Sequence, residues 1–175
     1  MSERMRKPGA SELAELGKAR ERTEYIKCGL FLELIKDALA QETSPVVFLN
    51  YREPLARLRE LLKENGINNV SMIHGEQSLM VRDVEIADFQ SNKNHVALVI
   101  TAAGGTGVSL HDVHNARPRA AIISPSYNAS DVKQCLGRIH RVGGTRSVQT
   151  FVLASGTVEE KVYKAITAKL SFLLA

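Results

Sequence analysis

Strands that alternate with helices along most of the chain predict an α/β fold, a parallel sheet flanked by helices on both faces. Two observations carry this. Short continuous apolar runs (Val46-Val47-Phe48-Leu49, Val96-Ala97-Leu98-Val99-Ile100 and Ala120-Ala121-Ile122-Ile123) read as strands covered on both sides. Between them lie longer segments whose apolar residues recur at helical spacing.

Taken in order, residues 1–23 are charged and irregular and read as a leader or frayed helix, leaving 24–175 as one domain. From Glu24 to Ala40 a helix is expected, with Ile26, Leu30, Phe31, Leu34, Ile35, Ala38 and Leu39 as its stripe. Thr43-Ser44-Pro45 ends it before the strand at 46–49. Pro54 suits the first turn of the next helix, Leu55, Leu58, Leu61 and Leu62 fill its buried face, and Asn65-Gly66 stops it. Val70–Ile73 is a short strand, and 78–90 a helix carrying Val81, Val84, Ala87 and Phe89. After the strands at 96–101 and 120–123, Asn128 to Ser130 caps another helix. Val148–Ala154 is the last strand, and Thr157-Val158-Glu159-Glu160 reads as a capping box opening a final helix with Val162, Ile166 and Leu170 inside.

Composition narrows the function classes. The chain has 175 residues, enough for one cored domain, with 44% hydrophobic and 24% charged residues. Cys28 and Cys135 give neither a disulfide framework nor metal-ligand spacing, and Cys135 lies in an apolar helical pattern as a small core residue. The N-terminal residues are polar and no apolar run approaches a membrane span, so an intracellular, non-secreted protein without a membrane partner is expected. A net charge of +4 is compatible with nucleic acid. Aromatic residues are only 5%, so the nucleic-acid backbone is a better target than stacked bases.

The chemistry concentrates in two segments. Gln134-Cys135-Leu136-Gly137-Arg138-Ile139-His140-Arg141 sets two arginines three apart on a helix, where they share a face. Upstream, Thr101-Ala102-Ala103-Gly104-Gly105-Thr106-Gly107 follows a strand, and its glycines let the backbone approach a ligand. Forked cations beside such a loop suit phosphate oxygens. Asn50, His74-Gly75, the 101–109 loop and Ser124 all follow strands, and the arginine helix begins after one, so these groups are expected to converge on the sheet's carboxyl edge. His111-Asp112-Val113-His114 has a possible metal spacing but no visible third ligand, and no metal site is expected.

These segments closely resemble the second RecA-like lobe of superfamily 2 helicases and translocases, most like Swi/Snf-type remodelling ATPases and their viral and phage relatives. Val46–Asn50 resembles the family's motif IV, and His74-Gly75 with Arg82 and Phe89 the segment after it. Thr101–Leu110 resembles motif V, and Ile122–Asn128 the strand and turn before motif VI. Gln134, Gly137, Arg138, His140 and Arg141 resemble motif VI itself, and Gly156–Lys161 the closing segment of the remodellers. The chain departs at Val142-Gly143-Gly144, where remodellers have glutamine after the first glycine, and at Ser109, where asparagine is common.

The resemblance implies a three-layer RecA-like domain working at DNA in a nucleus, nucleoid or virus-infected cell. It implies ATP and magnesium held mainly by an N-terminal RecA-like lobe, because this sequence has neither a G-x-x-x-x-G-K-[ST] loop nor an acidic magnesium-holding box. This chain alone is then expected to be inactive. Arg138 and Arg141 would act as arginine fingers and Gln134 would position water or a phosphate oxygen, with Gly105 and Gly107 near the nucleotide. Asn50, Arg52, His74, Gly75, Arg82, Thr101 and Thr106 would line a nucleic-acid backbone track, duplex DNA being the expected partner. A RecA-shaped binding module without ATP chemistry is the alternative; a dinucleotide-binding oxidoreductase lacks its G-x-G-x-x-G spacing.

Overall fold

The computed structural model describes residues 9–104, 108–114, 116–126, 128–139 and 147–174. Gly105, Thr106, Gly107, His140 and Arg141 lie outside the described residues. Five parallel strands form one sheet in the order β2-β3-β1-β4-β5: β1 Ser44–Leu49, β2 Val70–Ile73, β3 Val96–Ile100, β4 Arg119–Ile123 and β5 Ser147–Phe151. The helices are α1 Ala10–Ile26, α2 Cys28–Ala40, α3 Arg52–Glu64, α4 Leu79–Gln90, the short α5 Thr101–Gly104, α6 Ala129–Ile139 and α7 Val158–Leu174. Among the described residues, no helix is long and apolar enough to cross a membrane.

The continuous apolar runs are explained by burial on both faces. Alternate residues of a strand point to opposite sides, so Val47 and Leu49 of β1 join Phe31, Ile35, Leu55, Leu58 and Leu62 of α2 and α3. Val46 and Phe48 instead join Phe89 of α4, Cys135 and Ile139 of α6, and Val108 and Leu110. A third cluster, Val132, Val162 and Ile166, fastens α7 to α6. This gives the three expected layers.

Several elements depart from the sequence reading. The helix expected from Glu24 is divided at Lys27, which closes α1 and opens α2. The buried stripe of α2 is Cys28, Phe31, Leu32 and Ile35, whereas Ile26 and Leu30 are 73% and 50% exposed. Lys27 lies on the buried side with Cys28 and Phe31, its ammonium drawn into the protein onto Glu159. On α4, Ile86 and Phe89 face the core while Val81 and Val84 are exposed. The last strand is shorter than expected, and its Val148, Gln149 and Thr150 are exposed because β5 is an edge paired only with β4. Punctuation fared better. Gly66 takes a positive φ of 78° behind α3, with Ile67 N donating to Leu62 O at 2.9 Å, and Ser130 N donates to Asn128 Oδ1 at 3.0 Å at the start of α6. At α7, Glu159 N donates to Thr157 Oγ1, but the Glu160 carboxylate reaches back to Gly156 N rather than completing a box on Thr157.

Both cysteines are core residues. Burial pushes the Cys28 thiol up to about 11 and the Cys135 thiol up to about 12, so neither supplies thiolate near neutrality. In the folded chain at pH 8 both should resist iodoacetamide, and both should alkylate once denaturant is added; mass spectrometry of the intact protein reads the difference.

Candidate functional site

Because all strands are parallel, their carboxyl ends share one edge, here called the rim. It is formed by Asn50, His74, Thr101, Ser124 and Val152. Thr101 leaves β3 into α5, so the first part of the expected loop is helical. Its side chain is buried and its hydroxyl donates to Leu49 O at 3.0 Å. Asn50 is similarly committed within the protein. Its Nδ2 donates to Glu24 Oε2 at 2.8 Å and to Pro125 O at 2.9 Å, leaving Oδ1 to offer a partner. Both side chains thus bond the rim to itself.

Arg52 is ion-paired with Glu76, which ties the loops after β1 and β2 together. Both side chains are exposed, so the pair is worth at most ~1 kcal/mol. The His74 amide donates to Gln77 Oε1 at 3.0 Å. Its imidazole is held below the usual histidine range, first by burial and then by the Arg52 charge, so it is neutral at physiological pH. A Cβ added at Gly75 would meet nothing within 4 Å, so the rim is open there. Arg82 sits half-buried in the first turns of α4.

The arginine helix starts just after the rim and, as a crossover element, runs back antiparallel to the strands, which places Arg138 about 13 Å along it from its first residue at 1.5 Å per residue. On the way it stays against the rim: Cys135 Sγ lies 3.9 Å from Thr101 O, and three residues further Leu110 N donates to Arg138 O at 2.9 Å. Gln134 is exposed, one turn before Arg138 on the same face, with Nε2 3.5 Å from Ser130 Oγ.

The possible metal spacing at 111–114 has a different use. Asp112 is buried and accepts from Arg117 N at 2.6 Å and His114 N at 3.2 Å, while His111 Nδ1 is 2.7 Å from Ser109 Oγ. Burial raises the Asp112 pKa, but these amides and Arg119 outweigh it and hold it below the ordinary value. Among the described residues, no group of three potential ligands is found.

Sequence reasoning missed the polar interior behind the rim. The buried Glu24 carboxylate accepts from Asn50 N at 2.9 Å and Tyr51 N at 3.0 Å. The buried Lys27 ammonium donates to Glu159 Oε1 at 2.7 Å, Ser124 Oγ at 3.1 Å and Val152 O at 3.1 Å. A cavity of about 280 Å3 opens beside them, bordered by Arg20, Glu24, Asn50, Thr101, Asp131 and Val162.

A family model described as "Helicase conserved C-terminal domain" matches residues 27–143. The protein L364 of Acanthamoeba polyphaga mimivirus, which carries the name of an ATP-dependent RNA helicase, is 31% identical over 94% of this chain and 30% of its own length. The human DNA excision repair protein ERCC-6-like is 30% identical over 76% of this chain and 10% of its own. The chain thus spans a small part of each relative. The C-terminal part of the Fun30 ATPase domain superposes with a TM-score of 0.67 at 24% identity, covering 78% of this chain and 43% of that one. The C-terminal domain of the DEAD-box protein Dbp5 gives 0.63 at 19% identity, covering 82% of this chain and 78% of that domain. These two show the fold. On the family match, the sheet order and the motif sequence together, the chain belongs to the helicase conserved C-terminal domain family, as a second RecA-like lobe most like those of Swi/Snf-type proteins.

Proposed function

We propose that this lobe completes the catalytic site of an ATP-driven nucleic-acid motor, with Arg138 and Arg141 reaching ATP and magnesium bound by a separate N-terminal RecA-like lobe. The joining of the 101–110 segment to the arginine helix through Leu110 and Arg138 carries this reading. A nucleic-acid contact made at that segment would be passed to the helix bearing the fingers through this hydrogen bond. Gln134, on the same helix face, would hold water or a phosphate oxygen. Gly105, Thr106 and Gly107 would supply backbone amides and a hydroxyl to an anion.

Arg52, His74, Gly75 and Arg82 form the proposed backbone track, with Asn50 and Thr101 as its framework. Duplex DNA is the proposed partner and the setting is intracellular, at DNA. The decisive experiment joins this lobe to its ATP-binding lobe and measures ATP turnover with and without duplex DNA. DNA-stimulated turnover in the joined protein and none in either lobe alone is expected; turnover by this lobe alone would overturn the reading. Backbone contact also predicts steep salt dependence. Arg82→Ala should reduce the slope of log affinity against log salt by about one. Arg82 suits this test because Arg52 already shares its charge with Glu76.

A further inference from the structure

The two carboxylates behind the rim come from helices outside the stretch that the family model matches. Glu24 lies on α1 and Glu159 in the first turn of α7, whereas the match runs from 27 to 143. They reach one turn through residues inside the match, Lys27 and Asn50. The Lys27 ammonium is held by Glu159 at 2.7 and 3.0 Å and donates to Ser124 Oγ at 3.1 Å. Glu24 accepts from Asn50 Nδ2 at 2.8 Å, and the same amide donates to Pro125 O at 2.9 Å. Lys27 is 6%, Ser124 0%, Glu24 1% and Glu159 7% exposed, so these four residues are shielded from water.

We infer that Glu159 and Lys27 on one arm, and Glu24 and Asn50 on the other, form a positioning relay that fixes the turn from β4 into the arginine-bearing helix. The inference rests on the motor reading above. Ser124 and Pro125 are the first residues after β4, and α6 begins at Ala129, so their placement decides where α6 leaves the sheet. Both residues of that turn are gripped: Lys27, paired with Glu159, holds Ser124, and Asn50, paired with Glu24, holds the Pro125 carbonyl. Charge explains why the grip is specific. A buried ammonium and a buried carboxylate each need partners at defined distances, and an apolar contact would tolerate sliding that these do not. The relay also makes α1 and α7 working parts of the lobe, since each supplies a carboxylate that the turn depends on. None of these residues needs to touch the nucleotide; they act through the placement of α6.

The test uses the joined motor with Ser124→Ala and Lys27→Met. Each is compared with Leu62→Val, a small core truncation on the α3 side of the sheet that serves as a stability control. A positioning role predicts that kcat falls about tenfold while the KM for ATP stays within about twofold, because misplacing a group costs rate more than ground-state binding. The control should lower the unfolding midpoint and leave kcat of the folded protein unchanged. Should Lys27→Met fail to fold, Ser124→Ala decides. It removes only the Ser124 hydroxyl and leaves the Lys27–Glu159 pair and Glu24's backbone donors in place. Parental kcat in Ser124→Ala, or a loss no larger than in the control at equal midpoint, overturns the relay. Arg138→Ala and Arg141→Ala run alongside separate the two claims. Loss in either with parental Ser124→Ala sinks the relay alone, whereas parental turnover in both removes the finger role and the relay with it.

Discussion

Replacing Arg141 by alanine in the joined motor should abolish ATP turnover while leaving ATP binding nearly unchanged, and Arg138→Ala should do the same. The expected loss follows from where charge develops. In phosphoryl transfer the charge spreads over the oxygens of the γ-phosphoryl group, and a guanidinium fork supplied from outside the nucleotide site is worth about 10³–10⁵ in rate. That corresponds to roughly 4–7 kcal/mol at 1.36 kcal/mol per decade. An arginine that merely decorates the surface contributes ~0–1 kcal/mol, a rate effect of fivefold at most. The two readings are separated by at least two decades, so steady-state turnover together with equilibrium binding of a non-hydrolysable ATP analogue decides between them. Substitution by lysine should rescue little, since an ammonium keeps the charge but cannot span two oxygens. Near-parental turnover in both alanine variants would remove the catalytic role and favour a RecA-shaped binding module.

The fold was legible because its signals are local and repeated. Continuous apolar runs of four or five residues report strands buried on both faces, and Asn65-Gly66 and Asn128 report helix ends, whatever lies elsewhere in the chain. The phase of the helices was less legible. The apolar pattern runs Ile26, Leu30, Phe31 and Ile35 into one stripe; the structure ends α1 at Ile26 and buries Phe31 and Ile35 of α2 on the side where Lys27, which no hydrophobic pattern registers, docks its ammonium on Glu159. The site was legible as a set of motifs but not as a geometry. Residue spacing locates Arg138 after a strand, yet only the fold shows that its carbonyl meets the segment after the glycine loop, through Leu110. The roles of Glu24 and Glu159 were hidden for a related reason. Their partners are 26 and 132 residues away, so Glu159 reads only as part of a helix start, and Glu24 only as the first residue of a helix, until their donors are seen.

At the opposite edge of the sheet, Arg119→Met should cost more stability than any surface substitution. Arg119 opens β4 and is 1% exposed. Its Nη1 donates to Asn92 Oδ1 at 2.8 Å and its Nη2 to Phe89 O at 3.2 Å, while the guanidinium carbon sits 4.3 Å from the centre of the Phe89 ring. Nη2 also lies 3.9 Å from the buried Asp112 carboxylate. The arginine therefore caps the end of α4, stacks on its last aromatic residue, and holds Asn92 at a positive φ of 59°. Methionine fills much of the same volume but leaves buried Asp112 with neutral donors alone, the amides of His114 and Arg117 and Asn92 Nδ2. Breaking a buried pair in this way costs about 3–5 kcal/mol, a fall in Tm of roughly 6–20 °C for a domain of this size. The pH dependence carries a sign. In the parent, Asp112 titrates below its ordinary value, so its contribution is present above about pH 4 and is lost as the pH falls through the folded pKa. Without Arg119 that carboxylate loses one of the groups that lower its pKa and should titrate higher than in the parent, a loss that acts at neutral pH and fades on acidification. The Tm deficit of Arg119→Met should therefore be largest near pH 7 and shrink as the pH falls below about 4, and Asp112→Asn combined with it should cost less than the two variants summed. A deficit below about 1 kcal/mol that does not change with pH would instead put this pair in the class of surface ion pairs, whatever its burial.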